Sequence, residues 1–193
     1  MKKNLILFFL LLSVISNAQR FKGGAVIGFN VSQIDGDFWS GYNKAGMVGG
    51  AYVYTEFSDR WGSQMEIRYS AKGSATSLNN PVHRKIRLQY IELPLLVTYD
   101  FFTHFQAQGG VSVGYLFNAA QNDGYGYEDF DQFDQYEFAL NIGVNYKVLK
   151  KLSANVRFSY SILPTYALYS GATLPYAMFN NVLTFAIYYH IGQ

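Results

Sequence analysis

The 193-residue chain contains no Cys, carries 15 Lys and Arg against 13 Asp and Glu, and is 18% aromatic but only 15% charged. The lack of Cys excludes a disulfide framework and a lipid anchor held through an N-terminal Cys. The near balance of charge argues against a nucleic-acid partner, and the charged fraction is low beside the roughly 25% of soluble domains.

The first 18 residues have the three parts of an export signal. Lys2 and Lys3 supply positive charge, residues 5–15 form an apolar run, and Ser-Asn-Ala at 16–18 matches a cleavage site. We expect a cleaved signal peptide and one remaining domain, residues 19–193. An uncleaved membrane anchor is the alternative, but the apolar run is shorter than the about 20 residues of a spanning helix.

Eight later segments alternate between apolar or aromatic residues and polar, small or charged ones. In the segment that begins at Trp61, Met65 and Ile67 share one face. Glu66 and Arg68 share the other face, because side chains alternate along a strand. Eight such strands predict an all-β fold, an eight-stranded antiparallel transmembrane up-and-down β-barrel. The predicted strands are Phe21–Ser32, Lys44–Phe57, Trp61–Lys72, Arg84–Tyr99, His104–Asn118, Gln135–Val148, Leu152–Leu163 and Phe179–Ile191.

The connections between these strands alternate in length. Short turns are predicted at 58–60, 100–103 and 149–151, and long loops at 33–43, 73–83, 119–134 and 164–178. Outer-membrane barrels have short periplasmic turns and longer extracellular loops. We therefore expect export by the Sec pathway to the outer membrane of a Gram-negative bacterium, with both termini in the periplasm. A soluble lipocalin-like barrel, apolar inside, is the alternative that the sparse charge disfavours.

The polar faces of the strands, which include Asn118 at the end of the fifth, should line the lumen. The predicted lumen network consists of Glu56, Glu66, Arg68, Lys72, Glu92, Glu137, Lys147 and Arg157, with Lys22 and Lys44 on the same faces. Buried charges persist only when they are paired and hydrogen-bonded. Since eight-stranded barrels are usually filled, a plug of salt bridges is favoured over a narrow aqueous path. Glu92 and Arg68, on adjacent strands, are the best candidate pair.

The three His residues form no recognisable catalytic or metal-binding pattern. His83 falls in a long loop, His104 at a short turn and His190 near the end of the last strand. No two of them have metal-ligand spacing, and His104 lacks the Ser and carboxylate companions of a triad. We therefore expect no catalytic residue, no metal or cofactor site, and no enzymatic activity.

The third long loop is acidic and aromatic. Its carboxylates are Asp123, Glu128, Asp129, Asp131 and Asp134. A solvated loop is the favoured interpretation, a surface for a protein partner is second, and a site for a hard cation is third, because no fixed calcium-loop order is present.

Residues 90–96, Tyr-Ile-Glu-Leu-Pro-Leu-Leu, place Pro94 inside a strand, where a bulge or an edge is expected. Together with the Gly-rich first strand and Gln-Ala-Gln-Gly-Gly-Val at 106–111, they make the mature chain similar to the PorT-like outer-membrane β-barrel family of the Bacteroidetes. The resemblance implies an eight-stranded outer-membrane barrel. The family's named member is an accessory of type IX secretion, a role that we do not transfer to this short chain with modest loops.

Three functional hypotheses follow from these patterns. The leading one is a non-enzymatic outer-membrane barrel with a structural or interaction role through its extracellular loops. It would contact outer-membrane lipid and lipopolysaccharide, and could meet another envelope protein. A narrow porin-like channel for small solutes or ions is the second hypothesis. A lipid-modifying or proteolytic barrel enzyme is the third.

Overall fold

A computed structural model describes residues 21–37, 39, 41–77, 83–123, 126–129, 133–168 and 176–191. The expected signal peptide, residues 1–18, lies outside them. The strands are β1 (Lys22–Asp35), β2 (Lys44–Glu56), β3 (Trp61–Ala75), β4 (Lys85–Asp100), β5 (Phe105–Asn122), β6 (Tyr127–Asp129), β7 (Tyr136–Leu149), β8 (Leu152–Ser161), β9 (Tyr166–Leu168) and β10 (Tyr176–Ile191). No helix of the described part of the chain is long and apolar enough to span a membrane.

Eight of these strands close into an antiparallel barrel. The pairing follows the order β1-β2-β3-β4-β5-β7-β8-β10, and β10 returns to pair with β1, where Ala25 lies opposite Tyr189. The short strands β6 and β9 extend the barrel wall by pairing with β5 and β10 respectively. The predicted eight-stranded antiparallel barrel is therefore confirmed.

The strands reach further toward the long loops than the alternation predicted. Strand β1 continues to Asp35 and β5 continues to Asn122, while β8 ends at Ser161. The regions predicted as loops 119–134 and 164–178 contain β6 and β9. These additions give hydrogen-bond partners to backbone groups that would otherwise need water.

The two faces of the wall have opposite character. Apolar side chains point outward on the barrel strands, and Met47 and Ile142 are 67% and 66% exposed. Polar and charged side chains point inward, and Arg157 and Ser161 are fully buried. This is the reverse of a lipocalin-like barrel, because only lipid satisfies a wall that is apolar on its outside.

Pro94 interrupts the hydrogen-bond ladder without a bulge. The β3–β4 pairs Met65–Leu95 and Arg68–Glu92 keep one register, and the ladder between them is broken opposite Pro94. Proline has no N–H to donate, so the gap falls where the ladder would need that donor. β4 therefore has no bulge at Pro94, although the sequence led us to expect a bulge or an edge there.

A bulge lies instead in β5, opposite the β4 residues Gln89 and Tyr90. Register with β5 shifts between Gln89 and Tyr90, so that Tyr90 pairs with Leu116 while Gln89 pairs with Asn118. The extra residue, Phe117, reverses the alternation in the rest of β5. As a consequence Asn118, which we predicted inside the lumen, is exposed on the outside.

Inward-facing glycines allow the tight curvature of this narrow barrel. A Cβ atom on Gly110 would lie 2.1 Å from the backbone oxygen of Leu95, whereas on Gly109 the nearest atom would be 3.8 Å away. The two residues are neighbours on opposite faces of β5. At Gly110 the inward direction therefore leaves no room for a side chain.

Candidate functional site

The interior of the barrel has three layers. An apolar cluster lies toward the long loops, a group of buried charges crosses the middle, and a cavity opens at the end with the short turns. Together these three layers decide what the lumen can do.

The buried charges form one chain of alternating sign. Its members, in order of contact, are Arg157, Glu66, Arg68, Glu92, Lys72 and Glu137. We call this group the charge chain. At most 4% of any of its side chains is exposed. Three cations meet three carboxylates, so the chain is formally neutral.

The strongest contact of the charge chain joins opposite walls of the barrel. Nη1 and Nη2 of Arg157, on β8, donate to the two carboxylate oxygens of Glu66, on β3, at 3.0 and 2.7 Å. The hydroxyl of Tyr188 donates to Glu66 at 2.8 Å. Such a bidentate, charge-assisted pair is geometrically specific, so it fixes the separation of β3 and β8.

The other half of the charge chain crosses the lumen again. Nε of Arg68 lies 2.7 Å from Glu92, the residue opposite it in the β3–β4 register. Nζ of Lys72 lies 2.6 Å from Glu92 and 2.6 Å from Glu137, on β7. The ring of Tyr90 lies 4.5 Å from the same Nζ. Since β3 supplies Glu66, Arg68 and Lys72 at even spacings, all three share its inner face.

Two residues of the predicted lumen network lie apart from the charge chain. Glu56 pairs with Lys22 at 2.8 Å, and Lys147 pairs with Asp100 at 3.2 Å. Both pairs sit at the rim with the short turns, and the side chains of Glu56 and Lys147 are 52% and 44% exposed. The alternation assigns the face of a residue but not its depth, so it could not separate rim from middle. Lys44 is at the opposite rim, where its Nζ donates to the carbonyl of Ala45.

The apolar cluster closes the lumen toward the long loops. Its buried members are Ile34, Ile86, Leu88, Tyr90, Leu116, Ala119, Phe133 and Tyr166, and Trp39 and Met178 pack against them. Trp39 and Phe133 come from long connections. These loops therefore fold over the barrel mouth, an arrangement that strand alternation does not predict.

The opposite end of the lumen holds a cavity of about 390 Å³. Charged and aromatic residues line it, among them Lys22, Tyr54, Glu56, Lys147 and Lys150. Its inner wall includes Tyr188, whose hydroxyl bonds to Glu66 of the charge chain. The cavity is thus a blind pocket, open at the short-turn mouth and closed by the charge chain.

His190 lies in this wall with two hydroxyl partners that the sequence analysis did not identify. Ser153 Oγ is 2.8 Å from its Nε2, and the hydroxyl of Tyr52 bonds to its Nδ1. A Ser–His pair can act as nucleophile and base when a carboxylate holds Nδ1–H. Here the phenol of Tyr52 takes the place of that carboxylate, so the pair lacks the negative charge that stabilises the imidazolium in a triad.

The acidic loop and the other carboxylates do not assemble a metal site within the described residues, where no three His, Asp or Glu side chains converge. Asp123 accepts a hydrogen bond from Gln121 at 2.6 Å, and Glu128 is exposed. Asp131 and the side chain of Asp129 lie outside the described residues. In the first long loop, burial raises the pKa of Asp37.

The barrel is similar to solved outer-membrane proteins. The attachment invasion locus protein Ail of Yersinia pestis aligns with a TM-score of 0.54 at 12% identity, over 88% of this chain and 98% of Ail. Neisserial surface protein A (NspA) gives a TM-score of 0.54 at 12% identity, over 88% of this chain and 96% of that protein. At such identities the likeness shows the fold alone.

Sequence comparison supplies the family. No curated protein sequence matches the chain significantly. The family described as "Outer membrane protein beta-barrel domain" matches residues 16–167, well over half of the chain. Together with the closed eight-stranded wall and its apolar exterior, this match shows that the chain belongs to the outer membrane protein beta-barrel domain family.

Proposed function

We propose that this protein is a closed, non-enzymatic outer-membrane barrel that acts structurally or by interaction through its long loops, and that it does not conduct. The observation that carries the proposal is the charge chain, which links β8 to β3 and β3 to β7 across the lumen. A water-filled path would hydrate these groups, whereas here each has an oppositely charged partner within 2.7 Å.

The packing between the charge chain and the long loops supports the same conclusion. Leu88 and Tyr90 are fully buried inside the wall, and Phe133 is 6% exposed beneath the loops. An ion that passed the charge chain would next enter an apolar layer, where an unpaired charge is costly. Two layers of different chemistry therefore oppose conduction.

The long-loop end offers the surface for interaction. Arg87 stacks on the ring of Tyr127 with its guanidinium carbon 4.7 Å from the ring centroid, and Tyr127 is 48% exposed. Ail, which has the same fold, has been crystallised with the heparin analogue sucrose octasulfate. That complex supports an interaction role for a barrel of this kind, with lipopolysaccharide or another envelope protein as the partner proposed here.

The finer placement is also a proposal. The motif at residues 90–96 supports membership of the PorT-like branch of the Bacteroidetes. The leader at residues 1–18 supports Sec export with cleavage, which would leave the short turns in the periplasm and the long loops outside the cell.

Planar-bilayer recording tests the absence of conduction. The purified wild-type protein should give no stable ohmic steps. The variant Glu66→Ser/Arg157→Ser/Leu88→Ser/Phe133→Ser keeps the lumen neutral, removes the Arg157–Glu66 link across it and opens the apolar layer as well, so it should conduct. Wild-type steps equal to those of the variant would refute a closed lumen. Unchanged lipid composition after incubation of vesicles with the protein, measured by mass spectrometry, tests the non-enzymatic part.

A further inference from the structure

The blind pocket at the short-turn end has the size and polarity of a ligand site. Its volume of about 390 Å³ falls within the roughly 300–1,000 Å³ of small-molecule sites. The charge chain closes its inner end, so a solute that enters from the short-turn side cannot pass through. Such a pocket can therefore bind a solute but cannot conduct it.

The charges around the pocket are unequal. Lys22, Lys147 and Lys150 line it, and Glu56 is the carboxylate among its lining residues. Salt bridges within the described residues match Lys22 with Glu56 and Lys147 with Asp100. Lys150 forms no salt bridge with a carboxylate of the described residues. A concave surface with an excess of one sign concentrates ligands of the opposite sign, so the pocket favours an anion.

One aromatic ring of the pocket is positioned to contact an organic group. The ring of Tyr54 packs on Gly62, where a Cβ atom would come within 2.6 Å of its hydroxyl oxygen. The absence of a side chain at Gly62 lets the ring lie flat against the wall. Tyr54 is only partly buried and lines the cavity. Flat aromatic surfaces beside polar groups suit ligands that are apolar on one side and polar on the other.

We propose that the blind pocket binds a small organic oxyanion of about monosaccharide size. Lys147, near the end of β7, and Lys150, in the turn between β7 and β8, contact the anionic group, and the ring of Tyr54 packs on the organic body. The anionic group of the ligand is a phosphate or a carboxylate, since both accept hydrogen bonds from ammonium groups. This site is independent of the long loops and lies at the other end of the barrel.

Isothermal titration calorimetry of the full chain in detergent, with glucose 6-phosphate and citrate as probes, tests the proposal. At least one probe should bind saturably, and uncharged glucose should not. Lys147→Gln/Lys150→Gln should weaken that binding about tenfold or more, the equivalent of one charge-assisted hydrogen bond. Lys151→Gln is the matched control, because Lys151 is exposed, adjacent in sequence and not among the residues that line the pocket. It should leave the affinity unchanged.

A second variant separates charge from folding. Glu56→Gln removes the repelling carboxylate and frees Lys22, so it should tighten binding, a direction that damage to the fold cannot produce. Heat-modifiable migration in gels verifies that each variant is folded. No saturable heat with either probe, equal affinity for glucose, or equal loss with Lys151→Gln would each overturn the proposal. Preference for glucose 6-phosphate identifies a phosphorylated source, and preference for citrate identifies a carboxylated one.

Discussion

Removal of Glu92 should destabilise the barrel more than removal of any exposed carboxylate. Its two oxygens accept from Arg68 at 2.7 Å and from Lys72 at 2.6 Å. In Glu92→Ala three buried cations would face two carboxylates, and the remaining carboxylate near Arg68 is Glu66, at 3.6 Å. Loss of one partner of a buried ion pair costs about 3–5 kcal/mol.

The assay is urea unfolding of the refolded protein in lipid vesicles, followed by the fluorescence of its two Trp residues. Glu128→Ala is the control, because Glu128 is exposed on β6, and such surface changes stay within about 0.5 kcal/mol. The midpoint of Glu92→Ala should fall far below that of the control. Equal midpoints would refute the inward placement of Glu92.

A double variant tests the cause of the loss. Arg68→Gln/Glu92→Gln removes one charge of each sign and leaves Arg157 with Glu66 and Lys72 with Glu137, so the lumen stays neutral. It should be more stable than Glu92→Gln alone, since no cation is left uncompensated. If the double variant were the less stable of the two, lost packing rather than unpaired charge would explain the effect.

Three further outcomes are expected. Gly110→Ala should lower the free energy of unfolding by about 1–3 kcal/mol and Gly109→Ala far less, because the new Cβ meets a backbone oxygen at 2.1 Å only in the first. Equal losses would contradict the assigned faces of β5. An impermeant maleimide should label Glu128→Cys on intact cells and Asp59→Cys only after lysis, and the reverse would invert the topology. Burial raises the pKa of Asp37, so its contribution to stability is present at low pH and is lost as pH rises through that pKa; Asp37→Asn should therefore stabilise the protein at pH 7 but not at pH 3, measured by urea unfolding.

The strands were predictable because each barrel strand has one face in lipid and one in the lumen. In β3 the pattern alone put Glu66, Arg68 and Lys72 on the inner face, and the structure buries all three. Alternation fails where one residue is inserted, and this is why Asn118 was assigned to the wrong side of the bulge at Phe117. No local signal in the sequence marks that insertion.

Two other features could not be predicted from the sequence: how deep in the lumen a side chain lies, and which residues the tertiary fold brings together. Strands β6 and β9 have three residues each, too few for a period of two to be recognised. The contact of Trp39 with the apolar cluster depends on how the first long loop folds back over the barrel. The partners of His190 come from β2 and β8, Tyr52 and Ser153, and only the closed barrel brings these strands near each other.

The order of the layers suggests why this lumen is charged rather than apolar. A slip of one residue in β3, β4, β7 or β8 would turn the apolar face of that strand inward. It would also break the contacts of that strand within the charge chain, whose six members lie on these four strands. A buried ion pair contributes little net stability over an apolar pair of similar volume. Its value here is as a register constraint, since Arg157 reaches Glu66 across the barrel only when β3 and β8 are correctly aligned. Stability is then supplied by the apolar exterior in lipid and by the cluster beneath the long loops.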